Sequence, residues 1–505
     1  MRMLNRQGRP SSPASVAPSE NRALMLEEPL IFEQGQEGRT GVDFPPAGLK
    51  HDRLGGLRRS AIGLPGLSEP QVVRHFTRLS QKNFGIDSTF YPLGSCTMKH
   101  NPRLNEKMAR LPGFADLHPM QPIETVQGAL ALIDELADWL LKLTGMHAVA
   151  MSPGAGAHGE FCGMAAIKMA LEARGEGHRR RVLVPESAHG TNPATAASLG
   201  FTVDPIPALD GRVDLKAFEA KLGPDVAGIM LTNPNTCGLF ERDIIAIAAD
   251  IHKAGGYFYC DGANFNAIVG RVRPADLGID VMHINLHKTF STPHGGGGPG
   301  SGPVVFAESL APYAPLPRIV REGDKLRLIE HAKDAEGAPF GRIKSFHGQM
   351  GMFVRALTYM LSHGADGLHQ VASDAVLSAN YILASLKDVM SAPFAGPCMH
   401  EALFDDKFLE GTGVTTLDFA KALIDRGFHP MTMYFPLVVH GALLIEPTET
   451  ESKETLDEFI AALRDLAEAA KRGEADIFKQ SPRHTPRRRL DETRAARQPV
   501  LRWRG

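Results

Sequence analysis

Cysteine is scarce in this sequence, with five in 505 residues, at positions 96, 162, 237, 260 and 398. No two form a C-x-x-C pair, and none stands at ligand spacing from a histidine. A disulfide framework and a structural zinc site are therefore not expected, and each thiol reads as a small core residue in a reducing cytoplasm. Net charge is equally thin: 55 Lys and Arg against 57 Asp and Glu leave a formal −2. Neither nucleic acid nor a membrane surface is an expected partner. Long apolar runs are missing too. The segment 129–143 is broken by Asp134, Glu135, Asp138 and Lys142, so no bilayer span is expected. Arg2 and Arg6 are followed by no apolar stretch, so no secretory leader is expected either.

What is present is the composition of an enzyme-sized globular chain, 43% hydrophobic and 22% charged. Residues 1–45, rich in Pro, Ser, Arg and Glu, predict an extended arm. Residues 46–120 carry many Gly and Pro turns and predict a segment wrapped over the main domain or a partner. From 121 to 330 the pattern is regular. Val126, Leu130, Ile133, Leu136, Leu140 and Leu143 share one face of a helix over 125–144. Apolar runs at 181–184, 227–231, 257–260 and 281–284 alternate with helical patterns at 160–173 and 241–252. Such alternation predicts an α/β fold with a mostly parallel, buried sheet. Residues 331–475 predict a smaller α+β domain, with helices at 350–361, 375–390 and 417–426, and strands at 434–439 and 442–446. A last helix at 452–472 closes it, with Ser452 as N-cap. In the tail, 476–505, the arginine-rich stretch from Arg483, with Arg487-Arg488-Arg489, reads by composition as solvated, with phosphate binding the alternative although no aromatics interleave.

The chemistry gathers at strand ends. Lys288 follows the buried run 281–286, at the rim where open α/β sheets bind ligands. A lysine desolvated there can form an imine with an aldehyde cofactor. Gly295 to Gly298 after it permit close backbone approach, or form a flexible surface loop. Asp261 ends the run 256–261, where a buried carboxylate asks for a cationic partner such as a protonated pyridine nitrogen. The alternative for Asp261 is a helix cap or a structural ion pair. His189, in Ser187-Ala188-His189-Gly190-Thr191-Asn192-Pro193, could stack on an aromatic ring or move a proton. Gly156, Ala157 and His158 open a helix whose exposed amides suit a phosphate. Asn233, in a Thr-Asn-Pro-Asn-Thr turn, could bond a phenolic oxygen, although turn chemistry explains it equally well.

A phosphate turn, a stacking residue, a strand-end Asn, a strand-end Asp and a Schiff-base Lys, in that order, resemble fold-type I pyridoxal phosphate (PLP) enzymes, the aspartate aminotransferase-like fold. Longer motifs narrow this. Tyr91-Pro92-Leu93-Gly94-Ser95-Cys96-Thr97-Met98-Lys99, Glu124-Thr125-Val126-Gln127-Gly128, Tyr434-Phe435-Pro436-Leu437 and Ile445-Glu446-Pro447-Thr448-Glu449 resemble the P-protein family of the glycine cleavage system. The likeness covers roughly residues 50–505, including Arg488-Arg489-Leu490-Asp491-Glu492, and so implies a tail packed on the fold or on a partner. Cys237 and His158 depart from the family's usual residues.

The resemblance implies PLP held covalently by Lys288, with Lys288, His189 and Asp261 catalytic. It implies a cofactor-binding set of Lys288, Asp261, His189, Gly156, Ala157, His158, Asn233, Ala263, Asn285 and His287. It also implies glycine decarboxylation, with the aminomethyl group passed to the lipoyl group of H-protein. The chain's length matches the lysine-bearing half, which in the split form works with a separate subunit 1 as an α2β2 assembly. The 91–99 motif is expected at the active-site mouth, from this chain or across an interface. Another fold-type I decarboxylase or desulfurase, and a non-catalytic scaffold, are the rival readings.

Overall fold

The computed structural model describes residues 27–42, 63–118, 121–295, 300–345 and 347–502, with positions 45, 48 and 57. Most of the expected arm at 1–45 lies outside the described residues, as do three of the four glycines at 295–298.

Helices α1 (Glu69–Gln81), α2 (Arg103–Ala109) and α3 (Pro112–Ala115) come first, then α4 (Gln127–Thr144). The main domain adds β1 (Ala148–Ala150), α5 (Gly156–Ala173), β2 (Arg181–Pro185), α6 (Thr191–Ser198) and β3 (Thr202–Ile206). A hairpin of β4 (Ala208–Leu209) and β5 (Arg212–Val213) precedes α7 (Leu215–Ala220). There follow β6 (Val226–Thr232), α8 (Ile244–Lys253), β7 (Tyr257–Gly262), β8 (Val281–Ile284), the single turn α9 (Leu286–Thr289) and β9 (Val304–Phe306). Seven of these strands form one sheet in the order β1-β9-β8-β7-β6-β2-β3. Strands β3, β2, β6, β7 and β8 run parallel, and β9 is antiparallel to both its neighbours.

The sheet is buried on both faces, as its near-continuous apolar strands require. Successive side chains point to opposite faces. Phe258 and Cys260 of β7 therefore join a core with Leu136, Leu140, Ile247 and Ile251 of α4 and α8. Tyr257 and Tyr259 join the opposite core with Ile167 and Ala170 of α5.

The second half begins with a hairpin of β10 (Arg318–Glu322) and β11 (Lys325–Ile329), then α10 (Met350–Leu386). Next come β12 (Ala402–Phe404), α11 (Thr416–Asp425), β13 (Thr432–Met433), β14 (Leu443–Ile445), α12 (Lys453–Lys471), α13 (Ala475–Lys479) and α14 (Glu492–Arg497). An antiparallel β12-β14-β13 sheet packs with α11 and α12 around Phe404, Phe419, Phe459 and Leu463. Ser452 caps α12 by accepting from the Thr455 amide. Thr415 caps α11 in the same way, from Asp418.

Two expectations are corrected here. Within α10 the two helices expected at 350–361 and 375–390 meet at Gly364, whose φ of 64° and ψ of −173° are not helical, so the second starts earlier than the sequence predicts. The second helix begins directly after Gly364 because Leu368, Val371 and Ala372 are buried. The first half of α10 thus serves the main core, while Ala379, Ile382 and Leu386 serve the smaller one. Residues 434–439 form no strand. Tyr434 takes φ 57°, Pro436 has no amide to donate, and Leu437 points outward at 83% exposure.

Among its described residues the N-terminal segment forms no core cluster of its own. Phe90 enters the smaller core edge-on to Phe459, and Leu93 bridges to Ile445. Glu106 of α2 grips Arg355 of α10 through two bonds of 2.7 and 3.0 Å. The tail is held as well. The amides of Arg483 and His484 donate to Asp425, and Arg489 pairs with Asp418 at 2.7 Å.

Phe459 is fully buried and touches both Phe90 and Phe428 edge-on. Phe459→Ala should cost about 3–5 kcal/mol. Urea unfolding would measure it, and a loss below about 1 kcal/mol would contradict the packing described.

Candidate active site

Strand β8 stops at Ile284, and Asn285 opens the single turn that carries Lys288. The Lys288 amine donates to the Ser95 carbonyl at 2.8 Å, so the 91–99 motif comes to the lysine within the same chain. That loop is bent tightly. A Cβ on Gly94 would stand 2.5 Å from Leu444 Cγ, and Ser95 and Thr97 both adopt positive φ (68° and 47°). Left-handed backbone costs a non-glycine residue roughly 1–2 kcal/mol, and buried carboxylates hold it here. Ser95 N donates to Glu401 at 2.5 Å, while Thr97 N and Oγ1 donate to Glu446 at 2.8 and 2.6 Å.

Two residues beyond Thr97, the fully buried Lys99 amine donates to Glu449 (2.6 Å), the Thr289 carbonyl (2.8 Å), Asn266 (2.9 Å) and Tyr359 (3.2 Å). Burial pulls the Lys99 pKa down, and Glu449 opposes that pull.

Beneath Lys288 lies a second polar layer. Asp261 stands opposite His283 in the β7–β8 register, 3.5 Å from its Nε2, and accepts from Asn192 (3.1 Å) and the Ala263 amide (2.9 Å). Burial alone would raise the Asp261 carboxyl. The His283 ring, the Ala263 amide, Lys288 and Asn192 outweigh it and hold the group below its usual range. His283 Nδ1 meets the Tyr259 hydroxyl at 2.6 Å and its Nε2 meets Asn285 at 2.7 Å; Asn285 in turn meets His287 at 3.2 Å. Burial, with His294 and Lys288 close by, pushes His287 down to about 3 and keeps it neutral.

On the phosphate side, a Cβ on Gly156 would lie 2.7 Å from Asn285 Nδ2, so only glycine lets α5 start there. His158 turns back to accept from the Gly154 amide at 3.1 Å, and the Lys344 amine lies beside Gly154. Asn233 is buried, its Oδ1 accepting from the Glu241 amide while its Nδ2 has no partner. His189 stands exposed, Nδ1 against Thr191, with Phe435 edge-on at 5.6 Å.

The residues present fit PLP. They offer a lysine amine tied only to a carbonyl, a buried carboxylate held anionic, an unpartnered buried amide donor, and glycine at a helix start. In the comparisons, the aminotransferase class-V family matches residues 158–297, and the glycine dehydrogenase C-terminal domain matches 371–486. A probable glycine dehydrogenase (decarboxylating) subunit 2 of Caulobacter vibrioides is 67% identical over 99% of this chain and 98% of its own length. One of the same name from Thermotoga maritima is 48% identical over 94% of this chain and all of its own length. This chain belongs to the glycine dehydrogenase (decarboxylating) subunit 2 family. A crystal structure of glycine decarboxylase (P-protein) in inhibitor-bound form shares the fold, with a TM-score of 0.66 at 22% identity over 84% of this chain and 92% of that one. The fold is thus the fold-type I PLP arrangement, and the number in the relatives' name implies a partner subunit 1.

In this family member Lys288, Asp261, Ala263, Asn285 and His287 form one contiguous cluster with Gly156 at its edge. The His158 ring is directed to its own loop, and Asn233 offers only Nδ2. Sequence reasoning missed Glu160, His283, His294, Lys344, His400, Glu401 and the partners of Lys99. The β7–β8 pairing was the one available signal, since it sets His283 beside Asp261. Donor atoms of His400, Glu401 and Glu446 lie within 4.8 Å of one another, all fully buried. Burial drives Glu401 well above its ordinary range and Glu446 up to about 7, while it drives His400 down to about 3.

A carboxyl raised from 4.5 to about 7 on folding favours the neutral native form. Its stabilisation is therefore full below pH 4.5 and lost as pH rises through 7, a change of about 3 kcal/mol. Urea unfolding of wild type and Glu446→Gln between pH 5 and 8 should show a steeper fall for wild type. Parallel curves would refute the assignment.

Proposed function

We propose that this chain is the catalytic, lysine-bearing subunit of a glycine decarboxylase. In this reading it releases carbon dioxide from glycine and passes the aminomethyl group to the lipoyl group of an H-protein, within an α2β2 assembly with subunit 1. The observation that carries the reading is the pairing of Lys288 with a buried, anionic Asp261 in one site, in a chain of this family.

Bound PLP would supply an aldehyde for Lys288 and a ring that takes up the electrons left by carbon dioxide. Each residue then has a part. The Lys288 amine, bonded to the Ser95 carbonyl, is held at the end of β8 and must shed a proton to act as a nucleophile. Asp261 keeps a proton on the ring nitrogen, and its bonds to Asn192 and Ala263 fix its plane. His189 would cover one ring face. Asn233 Nδ2 is offered to the phenolic oxygen, which would satisfy its buried donor. The amides of Gly156, Ala157 and His158 would hold the phosphate, and neutral His287 with Asn285 would close that side without adding charge.

Opening the lipoyl disulfide belongs to thiol–disulfide chemistry. That step needs no protein thiolate, and Cys96, whose thiol burial raises, is given no part in it. The rival decarboxylase, desulfurase and scaffold readings lack this support, the last because a scaffold needs neither Lys288 nor Asp261.

With subunit 1 and lipoylated H-protein supplied, the wild type should exchange labelled carbon dioxide into glycine. Lys288→Ala should lose the near-visible absorbance of the bound cofactor and lower exchange by a factor on the order of 1000 or more. Retained absorbance and turnover in that variant would sink the proposal. Cysteine desulfuration or glutamate decarboxylation by the wild type would favour the rival enzyme.

A further inference from the structure

Glu160 is a buried carboxyl to which the mechanism above gives no part. It sits one turn into α5, at 3% exposure, close to Asp261 and His283. Its Oε1 lies 2.9 Å from the Thr191 hydroxyl and its Oε2 lies 3.3 Å from that of Thr195. The Thr191 hydroxyl also meets His189 Nδ1 at 2.8 Å, and the Thr191 backbone amide points at the same nitrogen at 3.2 Å.

The direction of these bonds can be worked out. A backbone amide can only donate, so Nδ1 of His189 is an acceptor and the ring proton stands on Nε2. The Thr191 hydroxyl has one proton and two neighbours, Nδ1 and the carboxyl of Glu160. If it gives that proton to Nδ1, it must receive one from Glu160. The electrostatics agree. Burial, and after it the nearby Asp261 charge, raises the Glu160 carboxyl, while Asp261 is held down. Where two neighbouring carboxyls are pushed apart, one keeps the proton and the other the charge.

We propose that Glu160 is a positioning residue that works as a neutral acid, donating to Thr191 so that Thr191 donates to His189 Nδ1 and fixes that ring with its N–H on Nε2, facing the open side of the site. The inference rests on the reading of His189 as the residue that covers the cofactor ring. Its second consequence is that Asp261 stays the single anion of the pair, free to serve the ring nitrogen.

The test is titration of the full chain, co-purified with subunit 1, with PLP, followed by visible absorbance and circular dichroism of the bound cofactor. Glu160→Ala and Thr191→Val should weaken cofactor binding about tenfold and change its dichroism, the loss of one well-placed hydrogen bond. Glu160→Gln, which donates in place of the acid, and Thr191→Ser should stay within about threefold of wild type. A Gln variant as damaged as the Ala variant would show that the anion is what matters and overturn the proposal. So would wild-type behaviour in both Glu160→Ala and Thr191→Val. Should Glu160→Ala fail to fold, Glu160→Gln and Thr191→Val decide between the same outcomes. His189→Ala separates the two levels. Unchanged dichroism there overturns the reading of His189, whereas a change there with none in Glu160→Ala overturns only the part given to Glu160.

Discussion

One buried ammonium holds this architecture in register. Lys99 arrives from the N-terminal segment and is satisfied by four elements at once: the loop after β14 through Glu449, the turn of Lys288 through Thr289, the loop after β7 through Asn266, and α10 through Tyr359. A charge so buried is tolerated only with its partners complete, and removal of one partner of such a pair typically costs about 3–5 kcal/mol. Geometry at Lys288 is therefore inherited. The carbonyl that meets its amine belongs to Ser95, four residues from Lys99, and the carboxylates that shape that loop come from the smaller domain.

Around this anchor the site sorts its acidic groups by environment. Asp261 has a ring, an amide and two side chains to stabilise its charge, and remains an anion. Glu160, Glu401 and Glu446 are raised, each by burial first and Glu160 next by the Asp261 charge. Carboxyl groups in one region are thus set to different protonation by their surroundings.

Much of this is legible in the chain itself. Lys288 and Asp261 stand out because each ends a run of apolar residues, and a charged group at the end of a buried strand needs a reason. The parallel sheet follows from the alternation of such runs with amphipathic helices. What could not be read is what lies far apart in sequence. Nothing local in Ser95 or Thr97 announces Glu401 or Glu446, and the positive φ of those two residues has no glycine to mark it. The break between the two helices of α10 falls at Gly364, nearer the first than their sequence spacing suggests, because the residues just after it are buried. Residues 434–439 have strand composition, but Pro436 and the left-handed Tyr434 turn them outward.

The bonds from Thr97 to Glu446 and from Ser95 to Glu401 span 349 and 306 residues. At a synthesis rate of about 5–20 residues per second, some 20–70 seconds separate the birth of the two ends. All the strands of the sheet that carries Lys288 and Asp261 are made by residue 306, before either carboxylate. In the interval the 91–99 loop lacks Glu401 and Glu446, and Lys99 can reach Asn266 and Thr289 but not Tyr359 or Glu449, so the surroundings of Lys288 are completed only when the smaller domain is made.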